Sequence, residues 1–342
     1  MVKIIFTLLV FASAGLAQSS SDETSSTPYT QDVDFSLSPS QMRGAGIVYS
    51  EGGALASNIV RPEPASLPII KEEVQEVNLT FTVTKHHGHF VRNLGPSDFT
   101  IQDNGEPPER ITHFESQSEL PLRLAIVIDN SDSVTYAFND EKRSAAVFLE
   151  HILRRTSDLA LAIGFNQEVR IVQEFTGDNK LLSHAIRKLP IGGETAIYDA
   201  VSAASQQLAR VRETLPVRRA IILITDGEDN SSHIKLKQAE EDAQRNECSV
   251  YVMSLNPEED RGLRPSDRAM MELSEVTGGN FLRVRADDGL TAAFSNIDKE
   301  LRSQYLMSYK PASVRPDGSF HRLVVLGPKK LHIHHRDGYF AR

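Results

Sequence analysis

The chain has 342 residues, which is enough for two domains, and its composition is that of an ordinary globular protein. Asp and Glu number 46 against 37 Lys and Arg, and basic residues form no cluster, so a nucleic-acid partner is not expected. The one cysteine, Cys248, leads into an apolar segment and cannot form an intrachain disulfide. We interpret it as a small buried hydrophobic residue.

The first residues, MVKIIFTLLVFASAGLAQSS, have the three parts of a secretory signal peptide: a basic Lys3, an apolar run and then small residues. We predict a signal peptide at 1–17, with cleavage after Ala17. The apolar run is about half of the ~20 residues that a membrane span needs, and no later segment is apolar enough. The sequence therefore predicts a secreted or periplasmic protein without a membrane span, and the scarcity of cysteine favours the periplasm.

Two segments of different character follow. Residues 18–70 are rich in Ser, Thr, Pro and Gly, which predicts a disordered arm or linker, with an irregular strap over the surface as the alternative. Within 71–118, VNLTFTVTK alternates with period two, and SDFTIQDNGEPPERITHFES predicts a strand, an Asn-Gly turn and another strand. This second segment predicts a small antiparallel β module, built as a sandwich.

From 119 to 304 the chain alternates between strands and helices. LRLAIVID and RRAIILITDG are typical of strands buried on both faces, NDEKRSAAVFLEHIL and TAIYDAVSAASQQLARV of helices, and DLALAIGFN with EVRIVQEFT of a hairpin. This order predicts an α/β domain with a doubly wound, mostly parallel sheet. Residues 305–342 return to strands, and we expect this C-terminal β segment to pack with the flanking β module.

Polar side chains follow buried strands or turns at three places. IVIDNSDSV contains Asp129, Ser131 and Ser133, GGETAIYDA contains Thr195, and IILITDGEDNSS contains Asp226. Because the carboxyl ends of parallel strands meet at one edge of a sheet, we expect two carboxylates and three hydroxyls to converge there. Oxygen ligands of this kind suit Mg2+, with Mn2+ or Ca2+ as alternatives. Taken alone, the first segment fits a helix-capping turn equally well.

This three-part set resembles the metal-ion-dependent adhesion site of von Willebrand factor type A domains, which combines Asp-x-Ser-x-Ser, a loop Thr and a later Asp. The resemblance implies a Rossmann-like fold and the following metal ligands: Asp129, Ser131, Ser133, Thr195 and Asp226. The family usually has Gly between the two serines, where this chain has Asp132, and Glu194 directly precedes Thr195. Both acids are expected to change the charge around the metal.

The resemblance also implies a function. The order of β module, type A domain and C-terminal segment, with ELRSQYLMSYKP and GYFAR, resembles the secreted von Willebrand factor A-related proteins of Acidobacteria over roughly 72–342. In the adhesion members of the type A family a partner's Asp or Glu completes the metal shell. We therefore expect a metal-dependent protein-binding module whose partner presents a carboxylate. Asp199 is interpreted as an acid at a helix start rather than a ligand.

Two alternative functions remain open. One is a structural envelope protein with a vestigial metal site. The other is a metal-dependent hydrolase, in which the cation would polarise water or a phosphoryl oxygen. The sequence has no GxSxG, HExxH or P-loop motif, so an enzyme is not expected.

Two histidine groups lie near the ends of the predicted β segments. Their members are His86, His87 and His89 in KHHGH, and His332, His334 and His335 in LHIHHR. Two of them, His332 and His334, share one face of a strand, a spacing that can support Zn2+ or Cu2+ binding. We favour solvated turn and edge-strand histidines, and pairing between the two segments would strengthen the metal interpretation.

Overall fold

The computed structural model describes residues 76–86, 88–116, 120–134, 138–154, 156–211, 213, 216–256, 264–284, 289–313 and 315–341. The predicted signal peptide and arm, and His87, lie outside the described residues.

Six strands form the central sheet. They are β4 (Leu122–Asp129), β5 (Leu159–Phe165), β6 (Val169–Thr176), β7 (Arg218–Thr225), β8 (Cys248–Ser254) and β9 (Phe281–Arg283). Their order is β6-β5-β4-β7-β8-β9, and every neighbouring pair is parallel except the β5–β6 hairpin. Every residue of β4 is buried, because helices cover both faces of the sheet. The doubly wound, mostly parallel sheet is thereby confirmed.

Helices cover the sheet in two layers. They are α1 (Phe138–Ile152), α2 (Asn179–Arg187), α3 (Ile197–Arg210), α4 (Leu236–Arg245), α5 (Pro265–Thr277) and α6 (Gly289–Leu301). Ile126 of β4 packs in a core with α1, α2 and α6, whereas Val127 packs in a second core with α3, α4 and α5. Successive strand residues thus enter opposite cores, and each large aliphatic side chain contributes about 1.5–3 kcal/mol.

The interpretation of Cys248 is confirmed. Cys248 begins β8 and is 2% exposed within the second core. Burial raises the pKa of its thiol to about 12, so it is an unreactive core residue.

The remaining strands form a β sandwich from both ends of the described chain. They are β1 (Val77–Lys85), β2 (Thr100–Asp103), β3 (Arg110–Glu115), β10 (Tyr305–Lys310), β11 (Phe320–Leu326), β12 (Leu331–His335) and β13 (Gly338–Phe340). One antiparallel sheet has the order β12-β1-β10-β3 and the other β13-β11-β2. Each sheet therefore contains strands from the C-terminal segment, and in the first sheet β10 separates β1 from β3.

The Asn-Gly turn that the sequence predicts joins the two sheets. Asn104 (φ 51°) and Gly105 (φ 85°) both adopt the left-handed conformation that such a two-residue turn requires. The preceding strand, β2, pairs with β11, whereas the following strand, β3, pairs with β10. The turn itself is closed by an antiparallel bridge between Asp103 and Glu106, and the chain then passes to the other sheet before β3 begins.

Chain connectivity puts the sandwich and the polar loops at opposite edges of the central sheet. The chain enters β4 directly from β3 and leaves α6 directly into β10, and both passages lie at the amino ends of the parallel strands. The loops that follow β4 and β7 lie at the carboxyl ends, side by side, because these strands are neighbours. The polar loops therefore lie at the edge where open α/β sheets usually bind ligands, on the side away from the sandwich.

Candidate functional site

Asp129 ends β4 and is fully buried. One carboxylate oxygen, Oδ1, accepts a hydrogen bond from the backbone N–H of Ser131 at 3.0 Å, and Oδ2 accepts one from the Thr225 hydroxyl at 2.6 Å. Burial raises the pKa of Asp129 to about 6; the hydrogen bonds from Thr225 and Ser131 counteract this shift, and the charge of Asp226 adds to it. The Asp129 carboxylate is thus an anion whose charge its surroundings neutralise incompletely.

The loop after β4 carries the two serines and is held by a glycine turn. The Ser131 and Ser133 hydroxyl oxygens lie 3.0 Å apart. The backbone N–H of Gly192 donates to the carbonyl of Asn130 at 2.9 Å, and that of Asp132 donates to the carbonyl of Gly193 at 3.0 Å. This backbone pairing holds the loop that carries both serines against the glycine turn.

Gly193 is needed in that turn for two reasons. Its φ is 97°, and a Cβ there would lie 1.8 Å from Oε1 of Gln167. The same Gln167 oxygen accepts a hydrogen bond from the Glu194 backbone N–H at 3.0 Å. Close packing of the glycine turn against Gln167 therefore sets the position of the segment that leads into Thr195.

Thr195 is buried and is held by the loop that follows β7. Its N–H donates to Oδ1 of Asn230 at 2.9 Å, and its carbonyl accepts from the N–H groups of Asn230 and Ser231 at 3.0 and 3.1 Å. Asp229, the next residue back, accepts from the N–H of Ile197 at 2.8 Å and so caps α3. Sequence reasoning missed Asp229 and Asn230, although they lie in the quoted GEDNSS segment.

Asp226 follows β7 and has an incomplete hydrogen-bond shell. Within the described part of the chain, its Oδ1 is buried and has no hydrogen-bond partner, and the same holds for the hydroxyl of Ser231. The preceding Thr225 hydroxyl donates to Asp129 and accepts from the N–H of Gly227 at 3.0 Å. A buried carboxylate oxygen without a donor costs free energy, which a bound cation would offset.

An open groove of about 600 Å³ lies beside these loops. Its lining residues are Asp132, Ser133, Gln167, Gly193, Glu194, Thr195 and Asn230. The groove thus brings together Ser133 and Thr195 from separate segments, and the exposed side chains of Asp132 and Glu194 border it. The lining does not include Asp129, Ser131 or Asp226. Ser131 contacts Ser133 through the two hydroxyls and donates its N–H to Asp129. Asp226 interacts with Asp129 through its charge.

Asp199 does not belong to the groove. Its carboxylate accepts hydrogen bonds from the N–H groups of His233 and Ile234 at 3.0 and 3.2 Å and contacts Nδ1 of His233 at 2.8 Å. Burial raises the pKa of Asp199, but these hydrogen bonds outweigh that effect and hold it below its ordinary value. The residue therefore fastens the loop after β7 to the start of α3.

The chemistry of the site depends on hydroxyl groups. Among the residues that the structure describes, no three or more His, Cys, Asp or Glu side chains are grouped so that they could hold a metal ion. A cation at this edge would therefore combine two carboxylates with neutral oxygens.

In the described part of the chain, no helix has the length and apolar character needed to span a membrane.

Known proteins match this part of the chain. Residues 124–228 match the family model of the von Willebrand factor type A domain, and this part of the chain carries a type A domain. The bovine calcium-activated chloride channel regulator 1 is 26% identical over 201 residues, which are 56% of this chain and 20% of that protein. The present chain thus spans about a fifth of that relative.

Two solved structures show what the chain is similar to in shape. The conserved hypothetical protein BatB from Bacteroides thetaiotaomicron has 19% sequence identity and a TM-score of 0.44, over 53% of this chain and 100% of that one. A von Willebrand factor type A protein from Catenulispora acidiphila has 11% identity and a TM-score of 0.46, over 79% of this chain and 75% of that one. The more specific resemblance to the secreted Acidobacteria proteins stays a prediction.

Proposed function

We propose that the type A domain binds a protein partner through a divalent cation, Mg2+, and that a carboxylate of the partner completes the cation's ligands. The observation that carries the proposal is the buried Oδ1 of Asp226, which has no hydrogen-bond partner among the described residues. It lies close enough to Asp129 for the two negative charges to interact. A buried acid, Asp129, beside a half-buried one, Asp226, favours a cation between or beside them.

The residues at this edge fit a hard cation. The proposed ligands are Asp129, Ser131, Ser133, Thr195 and Asp226. All offer oxygen, which Mg2+ prefers, and Mn2+ accepts the same ligands. Ca2+ takes six to eight oxygens, so it would need water or the partner to supply more of them.

The ligand set explains why a partner would bind. Three of the five proposed ligands are neutral hydroxyls, and the two carboxylates at most balance the charge of a divalent cation. Mg2+ prefers six ligands in octahedral geometry, so the five would leave one position that a further anion can fill. The groove beside Ser133 and Thr195 gives an Asp or Glu of a partner access to that position. Type A domains typically mediate protein–protein interactions and are generally non-catalytic. We place this interaction outside the cytoplasm because of the predicted signal peptide.

Two other functions are weighed against this one. A metal-dependent hydrolase would need a base beside its nucleophile, but the Ser131 and Ser133 hydroxyls contact each other, and no histidine lines the groove as described. A structural envelope protein with a vestigial site would gain nothing from leaving Asp226 unsatisfied. The protein-binding function therefore fits the geometry best.

Metal binding is tested first, by calorimetric titration of Mg2+ and Mn2+ into the full chain. Asp129→Asn removes one proposed carboxylate and should weaken binding by about tenfold or more. Asp178→Asn is the matched control, because Asp178 is an exposed helix cap at the start of α2 and Asn caps equally well. Equal affinities in the wild type and Asp129→Asn would rule out this site.

Partner binding is tested by capture from an envelope extract in Mg2+ and in EDTA. We expect proteins that are retained by the wild type only in Mg2+ and are lost with Asp129→Asn. If both buffers retain the same proteins, metal-dependent capture is wrong. Hydrolysis of an ester, peptide or phosphate that Asp129→Ala abolishes would instead favour the hydrolase.

A further inference from the structure

Two histidines that are remote in sequence meet on the surface of the β sandwich. β1 and β12 are antiparallel neighbours, and Thr84 lies opposite His332 in their register. His86 follows β1 by one residue, and the centre of its ring lies 6.4 Å from that of His332, with the ring planes 57° apart. Both side chains are exposed, so solvent and ions reach them.

A tight turn fixes where His86 lies. The carbonyl of Lys85 accepts from the N–H of Gly88 at 2.8 Å, and the N–H of Lys85 donates to the carbonyl of His89 at 2.9 Å. Gly88 has a φ of 74°, which other residues adopt less readily. Because His89 lies opposite Lys85, the alternation of side chains puts it on the face away from Thr84 and His332.

The other described histidines of the second group already have partners inside the fold. The His334 ring contacts the carbonyl of Gly279 through Nε2. Nε2 of His335 accepts from the backbone N–H of Val325 at 3.3 Å, and its Nδ1 lies 2.7 Å from the carbonyl of Arg336. Within the part of the chain that the structure describes, the pair with exposed rings side by side is therefore His86 and His332.

We propose that His86 and His332 form a second metal site, for a divalent ion that prefers nitrogen: Zn2+, Ni2+ or Cu2+. Bonds of about 2.0–2.1 Å from one ion to two imidazole nitrogens put the ring centres roughly 5–6.5 Å apart, so small side-chain rotations suffice. Water fills the remaining positions. Imidazole ligands favour Cu2+ over Ni2+ and Zn2+, and they do not suit Mg2+.

This site is independent of the proposed magnesium site. It lies on the sandwich, at the amino edge of the central sheet, and it uses nitrogen rather than oxygen ligands. A bound ion would join the turn after β1 to β12, and hence the N-terminal and C-terminal β segments. Because the unfolded chain does not hold the two rings together, metal binding would stabilise the folded sandwich.

The test is calorimetric titration of Zn2+ and Cu2+ into the full chain, with Mg2+ present at saturating concentration. His86→Gln and His332→Gln should each weaken binding about tenfold or more, and the double variant should bind no worse than either single variant, because one ion needs both rings. His113→Gln is the control: His113 lies on β3, its side chain is 55% exposed, and its variant should bind as the wild type does.

A second measurement separates a shared ion from scattered surface binding. Zn2+ should raise the melting temperature of the wild type and of His113→Gln but not of His332→Gln. The proposal would be overturned if the double variant lost as much binding free energy as the two single variants combined. A loss in His113→Gln equal to that of the single variants would also overturn it.

Discussion

Two buried aspartates, one in each part of the molecule, have opposite surroundings. In the sandwich, Asp103 accepts hydrogen bonds from the hydroxyls of Tyr309 and Tyr339 at 2.9 and 2.7 Å, and its other oxygen lies 2.8 Å from Nδ1 of His321. In the type A domain, Asp129 accepts hydrogen bonds from Thr225 and Ser131, and its neighbour Asp226 has a buried oxygen that has no partner in the described chain.

The difference separates a structural carboxylate, Asp103, from Asp129, the one that we propose to bind the cation. Asp103 links β2 to the three strands β10, β11 and β13, and its hydrogen-bond shell is full. Burial raises the pKa of both tyrosines, and the nearby Asp103 carboxylate adds to the shift, so they stay protonated and continue to donate. A full shell needs nothing further, whereas Asp226 keeps a buried oxygen without a partner among the described residues, which the proposed cation would satisfy.

The largest expected effect comes from removing the chain's C-terminal strands. Tyr309, His321 and Tyr339 all lie within 305–342, so deleting this segment removes every side-chain partner of the Asp103 carboxylate that the structure shows. It also takes β10 out from between β1 and β3. We expect insoluble protein, because the remaining sandwich strands expose their apolar faces. A soluble 120–304 fragment that melts cooperatively would show that the type A domain does not depend on the sandwich.

The substitution Asp103→Ala tests the structural carboxylate alone. Two buried hydroxyls and an imidazole would lose their acceptor, and we expect a loss of about 3 kcal/mol or more in the free energy of unfolding, measured with urea. Mg2+ affinity at the other edge should not change. Asp317→Ala, at an exposed position, is the control. A loss as small as that of the control would mean that water replaces the acceptor and that Asp103 is not needed for the stability of the sandwich.

The pH dependence of the metal-free protein tests the Asp129 carboxylate. The pKa of Asp129 is raised from 3.8 to about 6, so the folded state holds its proton more tightly than the unfolded state. Its contribution to stability therefore falls as the pH rises from about 4 to above 6, by about 3 kcal/mol. Urea unfolding in EDTA should show this fall in the wild type but not in Asp129→Asn. Parallel curves would mean that the carboxylate is already stabilised without a metal.

The sequence predicts that Asp129 and Asp226 lie near each other, but it does not predict the hydrogen bonds that connect their loops. Parallel strands β4 and β7 are neighbours, so the positions of Asp129 and Asp226 follow from strand order alone. The hydroxyl of Thr225 bridges the two loops, yet as the last residue of a buried strand it gives no signal in the sequence. Its role depends on the register between β4 and β7, which only the folded sheet sets.

The Asp103 network was invisible to sequence analysis for a related reason. Asp103 and His321 lie 218 positions apart, and their contact arises because β2 and β11 pair across the sandwich. Period-two alternation shows which side chains face inward, but not which inward polar groups meet. The same limit applied to His86 and His332, whose meeting required the pairing of β1 with β12.

The smallest expected effect concerns Asp132, which stands where related motifs have Gly. Two influences on metal binding compete there: strain in the loop, and the negative charge of the side chain. Among the described residues, positive φ at non-glycine positions occurs only at Asn104, Glu247 and Lys330, so the backbone of Asp132 does not use the conformation that favours glycine. Loop strain is therefore small, and the charge of Asp132 decides the outcome.

We expect Asp132→Gly to weaken Mg2+ binding by about 1 kcal/mol, because an exposed charge beside the groove attracts the cation through partly screened solvent. The same charge repels a partner's carboxylate, so the variant should capture an acidic partner better once the metal is bound. Asp132→Asn removes the charge but keeps a side chain, so in calorimetric titrations it should match Asp132→Gly. If the glycine variant binds Mg2+ more tightly than both the wild type and Asp132→Asn, then backbone freedom outweighs charge in this loop. The aspartate would then be a restraint on the site rather than a source of attraction for the metal.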